Sequence, residues 1–282
     1  WRRKRYQALI SWAKRKDLWD EWKRLYTNLD NPDNVEDALA FYEANKDDML
    51  DGAQVLWPEG DSYYDLMVYI IDNGLASFYS EKQNDPQDPE KQILFPDKCA
   101  KFKVYRPGDP EWLDELGPSG FAIVRNDNGK AIHSQDLRVV AFLDPALGKT
   151  PKKATSDYAA LVVCAQDAAG YIYVLDAWLH KKPPNEQVAQ CYVKHMQWGF
   201  DLYLETVGFQ ELLKGVFKEY EALYDNKIRV VGVHQYHNKQ ARISTLEPYL
   251  ENNWVLFAEG IDEEFMNQLR LFPTVHDDGP DA

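Results

Sequence analysis

The chain has 282 residues, 45% of them hydrophobic and 13% aromatic, enough apolar material for one large domain or two smaller ones around a sizeable core. No stretch approaches the roughly 20 consecutive apolar residues of a membrane span, so a soluble chain is expected; Cys99, Cys164 and Cys191 lie far apart and give neither a disulfide framework nor a zinc-ligand spacing. The net charge of −14 argues against a protein that coats DNA generally, but it is uneven: nine Lys/Arg against four Asp/Glu in residues 1–30, seven against twenty in 31–120, and sixteen against twenty-two in the rest, so a nucleic-acid partner has to meet local basic patches.

Residues 1–29 open with Arg2-Arg3-Lys4-Arg5 and space Leu9, Trp12, Leu18, Trp19, Trp22 and Leu25 as an amphipathic helix, or two, with a basic face. The chain starts without an initiator methionine and is expected to be a fragment of a longer polypeptide. Asn31-Pro32-Asp33-Asn34 is a turn that can cap a helix over residues 35–49. A second helical pattern runs over 63–73, closed by Gly74. Residues 81–89, with two Asp-Pro steps, read as a surface loop or linker. Short apolar runs at 102–105 and 121–124 read as edge strands or a peripheral hairpin, with Asn126-Asp127-Asn128-Gly129 supplying turn chemistry.

Beyond Leu137 the pattern sharpens. Residues 139–143 (VVAFL) do not alternate and read as a strand buried on both faces, and Asp144 ends it. A carboxylate where a buried strand emerges asks for a cation, a proton or hydrogen bonds, although Asp144-Pro145 is also an ordinary turn start. A Lys-rich loop leads to strands over 158–165 and 171–178, joined by a tight turn. A helix over 185–198, a strand over 202–205, a helix over 209–224, a strand over 229–233 and a helix over 239–250 follow. Alternating strands and helices imply parallel pairing through right-handed crossovers. The order βββ-α-β-α-β-α predicts a ribonuclease H-like α/β fold, a mixed sheet flanked by helices.

Such a core brings further acids beside Asp144. Glu205 ends its strand as Asp144 ends the first, and parallel strands place their carboxyl ends on one edge, where ligands of open α/β sheets sit. Asp277-Asp278 open a helix start that tolerates Pro280 in its first turn. Three gathered carboxylates repel one another unless neutralised, and a hard cation such as Mg²⁺ or Mn²⁺ suits an all-oxygen donor set. The chemistry this predicts is metal-dependent phosphodiester hydrolysis. Taken singly, Glu205 also reads as an exposed strand end and Asp277-Asp278 as a helix cap.

Phe142-Leu143-Asp144-Pro145-Ala146, Ser156-Asp157-Tyr158-Ala159-Ala160, Leu204-Glu205-Thr206 and His276-Asp277-Asp278-x-x-Asp281-Ala282 together resemble the nuclease domain of the large terminase subunit of tailed bacteriophages. Residues 52–58, with Phe78-x-x-Glu81-x-Gln83-Asn84-x-Pro86, are similar to the segment linking that family's packaging ATPase to its nuclease. The resemblance implies an Mg²⁺- or Mn²⁺-dependent endonuclease that cuts double-stranded viral DNA during packaging, in the cytoplasm of the infected bacterial host. It makes Asp144, Glu205 and Asp278 catalytic, with Asp277 a further candidate metal ligand. It also implies a helical linker region over 1–92 from an absent ATPase domain, a nuclease domain over 93–282 with its core from about residue 137, and a portal and small terminase subunit as partners of the full-length protein.

Gly148-Lys149-Thr150 is not a phosphate-binding loop, because Leu143 stands where that motif needs Gly, and no ATP site is expected. Lys149, Lys152 and Lys153 are candidates to face DNA phosphate beside the catalytic edge, as are Lys239 and Arg242, one helical turn apart. His234-x-x-His237 is two ligands at most and makes no site by itself. The rival readings are a Holliday-junction resolvase or transposase-like nuclease on the same core, and a non-catalytic docking module of a packaging motor.

Overall fold

The computed structural model describes residues 6–85, 92–109, 120–146, 158–205, 210–234, 238–274 and 277–282. The first part is a helical layer. Strand β1 (Leu9–Ser11) is followed by α1 (Lys16–Tyr26), α2 (Asn34–Met49), β2 (Gln54–Val55), α3 (Tyr63–Asn73) and α4 (Leu75–Ser77), with a π-helical turn at Phe78–Lys82. The expected first helix is thus shortened, because Leu9–Ser11 pairs antiparallel with β2. Helix α3 begins on a reciprocal cap: Ser62 Oγ accepts from the Asp65 amide and Asp65 accepts from the Ser62 amide, so two otherwise unpaired donors are satisfied. Trp19, Trp22, Tyr42, Met49, Leu66 and Phe78 fill this layer's core, and each such buried side chain contributes about 1.5–3 kcal/mol.

The second part is one nine-stranded sheet. Strands β3 (Lys101–Tyr105), β4 (Ala122–Arg125), β5 (Ala131–His133), β6 (Arg138–Asp144), β7 (Ala159–Gln166) and β8 (Ile172–His180) precede α5 (Pro184–Trp198) and β9 (Asp201–Glu205). Then come α6 (Gln210–Tyr224), β10 (Val230–Val233), α7 (Lys239–Ser244), α8 (Leu246–Glu251), β11 (Val255–Ala258), α9 (Glu263–Leu271) and α10 (Asp278–Asp281). The strand order is β10-β9-β6-β7-β8-β11-β3-β4-β5. The meander β6-β7-β8 is antiparallel, and β9 and β10 add in parallel beside β6, as the sequence predicts. Strand β11 lies parallel to both β8 and β3 and welds β3–β5 onto the same sheet. The expected hairpin is formed by 101–105 and 122–125, which pair antiparallel at the end of the sheet, and Asn126–Gly129 turns β4 into β5.

A single helix over 239–250 is predicted, but the structure breaks it at Thr245 into α7 and α8. Pro248 has no N–H to offer the carbonyl four residues back, at Ser244, so the ladder cannot run through. Thr245 Oγ1 and its amide turn instead to the Arg242 carbonyl.

The sheet has two covered faces. Leu143, Leu161, Val163, Leu202 and Leu204 pack on the face under α5 and α6. Ala160, Val162, Val174 and Phe257 pack on the other face, under α7 to α9. The helical layer joins the sheet through Trp254 Nε1, which donates to the Thr27 carbonyl (2.9 Å), and Asn252 Nδ2, which donates to the Ile71 carbonyl (2.8 Å). Glu247 accepts from the amides of Leu75 and Ala76 at the start of α4. Gly74, at φ +83°, makes room for this contact, since a Cβ there would lie 2.8 Å from Glu247 Oε2. Among the described residues, no helix is long and apolar enough to cross a membrane.

Candidate active site

Strand parity places the first two acids. Leu143 pairs with Leu204 across the parallel β6–β9 ladder, and both point under α5 and α6. Side chains alternate along a strand, so Asp144 and Glu205, one step further on, both point to the opposite face at the carboxyl end of the sheet. That face carries α7 and α10, and both helices aim polar side chains at the same place.

Helix α7 is capped by Asn238, whose side chain accepts from the Gln240 amide at 2.9 Å. The cap fixes Lys239 at the first helical position and Arg242 one turn later. Lys239 Nζ lies 2.9 Å from Asp277 Oδ1, 2.9 Å from Asp278 Oδ1 and 3.9 Å from Asp281 Oδ2. Arg242 grips Asp281 with both ends of its guanidinium: Nη2 stands 2.7 Å from each carboxylate oxygen and Nε 3.1 Å from Oδ1. Asp278 Oδ2 also accepts from the Tyr158 amide at the entry to β7 (3.3 Å).

Helix α10 reaches this position because of Gly279. Its amide donates to the buried Gln268 side chain at 2.8 Å. A Cβ on Gly279 would lie 2.8 Å from Leu179 and 3.0 Å from Phe265, so only glycine lets the helix lie this close to β8 and α9. Pro280 sits in the first turn, where its missing N–H costs nothing.

The charges feel one another. Burial first, then the negative charge of Glu205, pushes the Asp144 carboxyl up to about 7; Asp278 and Asp281 add to this and Lys239 opposes it. Burial alone would lower the Lys239 ammonium, but its hydrogen bonds to Asp277 and Asp278 hold it above its ordinary value.

Asp144, Glu205, Asp277 and Asp278 therefore belong to one cluster. Asp281, whose side chain is 4% exposed, joins them; its one-turn spacing from Asp278 was the available signal. Lys239 and Arg242, the candidates to face phosphate, are one turn apart as expected, and among the described residues they pair with acids of α10. Lys149, Lys152 and Lys153 lie outside the described residues, as does His237.

Gln187 gave no sequence signal at all. It is fully buried on α5, and its Nε2 donates to the carbonyls of Ala146 (2.6 Å) and Lys182 (2.7 Å), pinning the chain two residues past Asp144. Its Oε1 is buried without a hydrogen-bond partner among the described residues. An apolar cavity of about 640 Å³ lies between the sheet and the α7 to α10 layer, and shares Arg242 and Asp281 with the acid cluster.

Among the described residues, no three His, Cys, Asp or Glu side chains are already arranged to hold a metal ion. The donor set nevertheless suits a hard cation: among the described residues five carboxyl groups, which offer oxygen alone, gather at this edge with two cationic side chains.

The family described as the terminase RNase H-like domain matches residues 141–282. Among solved structures, the nuclease domain of the human cytomegalovirus terminase aligns at 9% identity over 52% of this chain and 80% of that one, with a TM-score of 0.37. A second structure of that domain aligns at 8% identity over 52% and 81%, with a TM-score of 0.38. The nuclease domain of the bacteriophage SPP1 large terminase, solved with bound Mn, aligns at 14% identity over 48% and 67%, with a TM-score of 0.31. No curated protein matches the sequence.

Proposed function

Because the chain belongs to the terminase RNase H-like domain family, we propose that it is a divalent-metal-dependent endonuclease that hydrolyses phosphodiester bonds of double-stranded viral DNA during genome packaging. The observation that carries this reading is the meeting of Asp144, Glu205 and the acids of α10 on one face at the carboxyl edge of the sheet. Asp144, Glu205 and Asp278 are the proposed ligands, with Asp277 beside them. A bound Mg²⁺ or Mn²⁺ supplies activation of a water molecule and stabilisation of the leaving oxygen.

The chain's own residues do the rest. Burial and the like charge of Glu205 raise the Asp144 carboxyl, whose carboxylate form would be one of the oxygen ligands of a bound cation. The Asn238 cap and Gly279 fix the two helices whose side chains meet at the edge. Arg242 holds Asp281, and through it the short helix that carries Asp278. Lys149, Lys152 and Lys153 belong to the proposal as phosphate contacts, which carry little sequence preference. The helical layer is proposed as the link to a packaging motor, with portal and small terminase subunit as partners in the infected bacterial cell.

The test is incubation of the chain with supercoiled plasmid and Mn²⁺ or Mg²⁺, repeated with EDTA and with Asp144→Asn. Cutting that needs metal and drops at least about 100-fold in the variant is expected, as for loss of a residue essential to the chemistry. No metal-dependent cutting by the parent rejects the proposal and leaves the docking module; preference for four-way junctions over linear duplex favours the resolvase.

A further inference from the structure

We propose that Lys181, seated on the ring of Tyr158, is a phosphate contact of the duplex substrate and fixes one DNA strand beside the acid cluster. The inference rests on the endonuclease reading above and adds a substrate-binding residue to it.

The edge of the sheet decides where Lys181 stands. Strands β6 and β8 both flank β7 antiparallel, so β7 begins and β8 ends at the edge that carries Asp144. Ala159 pairs with His180, which sets Tyr158 and Lys181 opposite one another a step beyond the ladder. The Lys181 ammonium lies 4.5 Å from the centre of the Tyr158 ring. That ring packs against the core under α7 to α9, and the Tyr158 amide donates to Asp278 Oδ2 at 3.3 Å. From the other side, Gln187 Nε2 donates both to the Lys182 carbonyl (2.7 Å) and to the Ala146 carbonyl (2.6 Å). One buried amide thus ties the residue after Lys181 to the chain two residues past Asp144. The backbone around the lysine is held towards two of the proposed ligands by contacts that do not involve its charge.

That charge is left for a partner. A duplex approaching five gathered carboxyl groups is repelled, and its phosphates need a cation that no acid already compensates. Lys182 pairs with Glu186, Lys194 with Asp176, and Lys239 with Asp277 and Asp278. Lys181 is exposed, and among the described residues no carboxylate pairs with it. An aromatic face attracts an ammonium without neutralising it, so the whole charge stays available to a phosphate oxygen. Holding the flexible stem on the ring also reduces the side-chain freedom lost when that oxygen arrives. A contact of this kind places the backbone and carries no sequence preference.

The experiment is fluorescence anisotropy of a labelled linear duplex with the parent chain, Lys181→Met, Lys181→Arg and Lys182→Met over a KCl series, with Ca²⁺ as the oxygen-seeking cation. Plasmid-cutting kinetics of each protein in Mn²⁺ accompany it. In Lys181→Met the slope of log affinity against log salt is expected to become shallower by about 0.9, the counterion release of one phosphate, with binding about fivefold weaker near 0.15 M salt. KM for cutting rises by a similar factor while kcat holds. Lys181→Arg keeps the charge and the parent's slope. Lys182→Met makes the same change in net charge at a paired lysine and keeps the parent's slope too. Thermal melting shows whether Lys181→Met is folded; if it is not, Lys181→Gln is measured in its place. With a parent that binds and cuts, an unchanged slope or KM in Lys181→Met, or an equal change in Lys182→Met, overturns this inference alone. A parent without metal-dependent cutting overturns the proposed function and the inference with it.

Discussion

Asp144 and Glu205 close two adjacent parallel strands one step beyond the Leu143–Leu204 pair, and the same step turns both away from the leucines' core. The juxtaposition sets a stability signature. The Asp144 carboxyl titrates at about 7 in the fold against 3.8 when unperturbed, so between these values the native state holds more protons than the unfolded chain. Metal-free stability therefore falls as pH rises from about 4 to about 7, with no further loss from this group above it. Asp144→Asn is expected to flatten that slope and to raise the metal-free Tm at pH 8, while abolishing cutting. Thermal melts across pH in EDTA check it.

Gln187 holds Ala146, two residues past Asp144, from the far side of the sheet. Gln187→Leu leaves the Ala146 and Lys182 carbonyls without their donor. The cost is set at about 1–3 kcal/mol, the range for leaving a buried acceptor unpaired, since the variant also removes the unpaired Oε1. Urea denaturation reads the loss. If the hold on Ala146 positions Asp144, kcat for plasmid cutting falls more than KM rises; a purely structural role leaves kcat intact in the folded fraction.

Gly279 admits no side chain. Gly279→Val drives a branched Cβ into Leu179 and Phe265, at an overpacking cost of about 1–3 kcal/mol. Displacement of α10 then carries Asp278 and Asp281 out of the cluster. The expected outcome is loss of cutting with a far-UV circular dichroism spectrum close to the parent's, because α10 is only four residues long.

Arg125 joins the helical layer to the sheet. It is 3% exposed, pairs with Asp30 (3.1 Å) and Asp127 (2.6 Å), and lies 4.0 Å over the ring of Tyr171. Asp30→Asn combined with Asp127→Asn strands a buried cation, with an expected cost of about 3–5 kcal/mol. Arg125→Met should cost less, because the acids it leaves behind still reach water. Denaturant melts of the two variants give the ranking.

The strands and helices from Arg138 to Val233 were legible in the sequence because apolar runs, turns and crossovers there follow simple periods. Asp144 and Glu205 could be paired on paper for the same reason, since parallel strands end on one edge. The short strands of the helical layer were not legible: three residues of β1 carry no period of their own and are set by pairing with β2. Strand β11 was missed too, because four buried apolar residues in a row look the same in a strand, a helix or a loop. What the sequence by itself determined was the type of fold and the acids that end its strands, both local properties of pattern and composition. Only the tertiary structure decided which acids Lys239 and Arg242 meet, that Gln187 holds Ala146 next to Asp144, and that Gly279 brings α10 in. Those are contacts between elements far apart along the chain, and no local pattern encodes them.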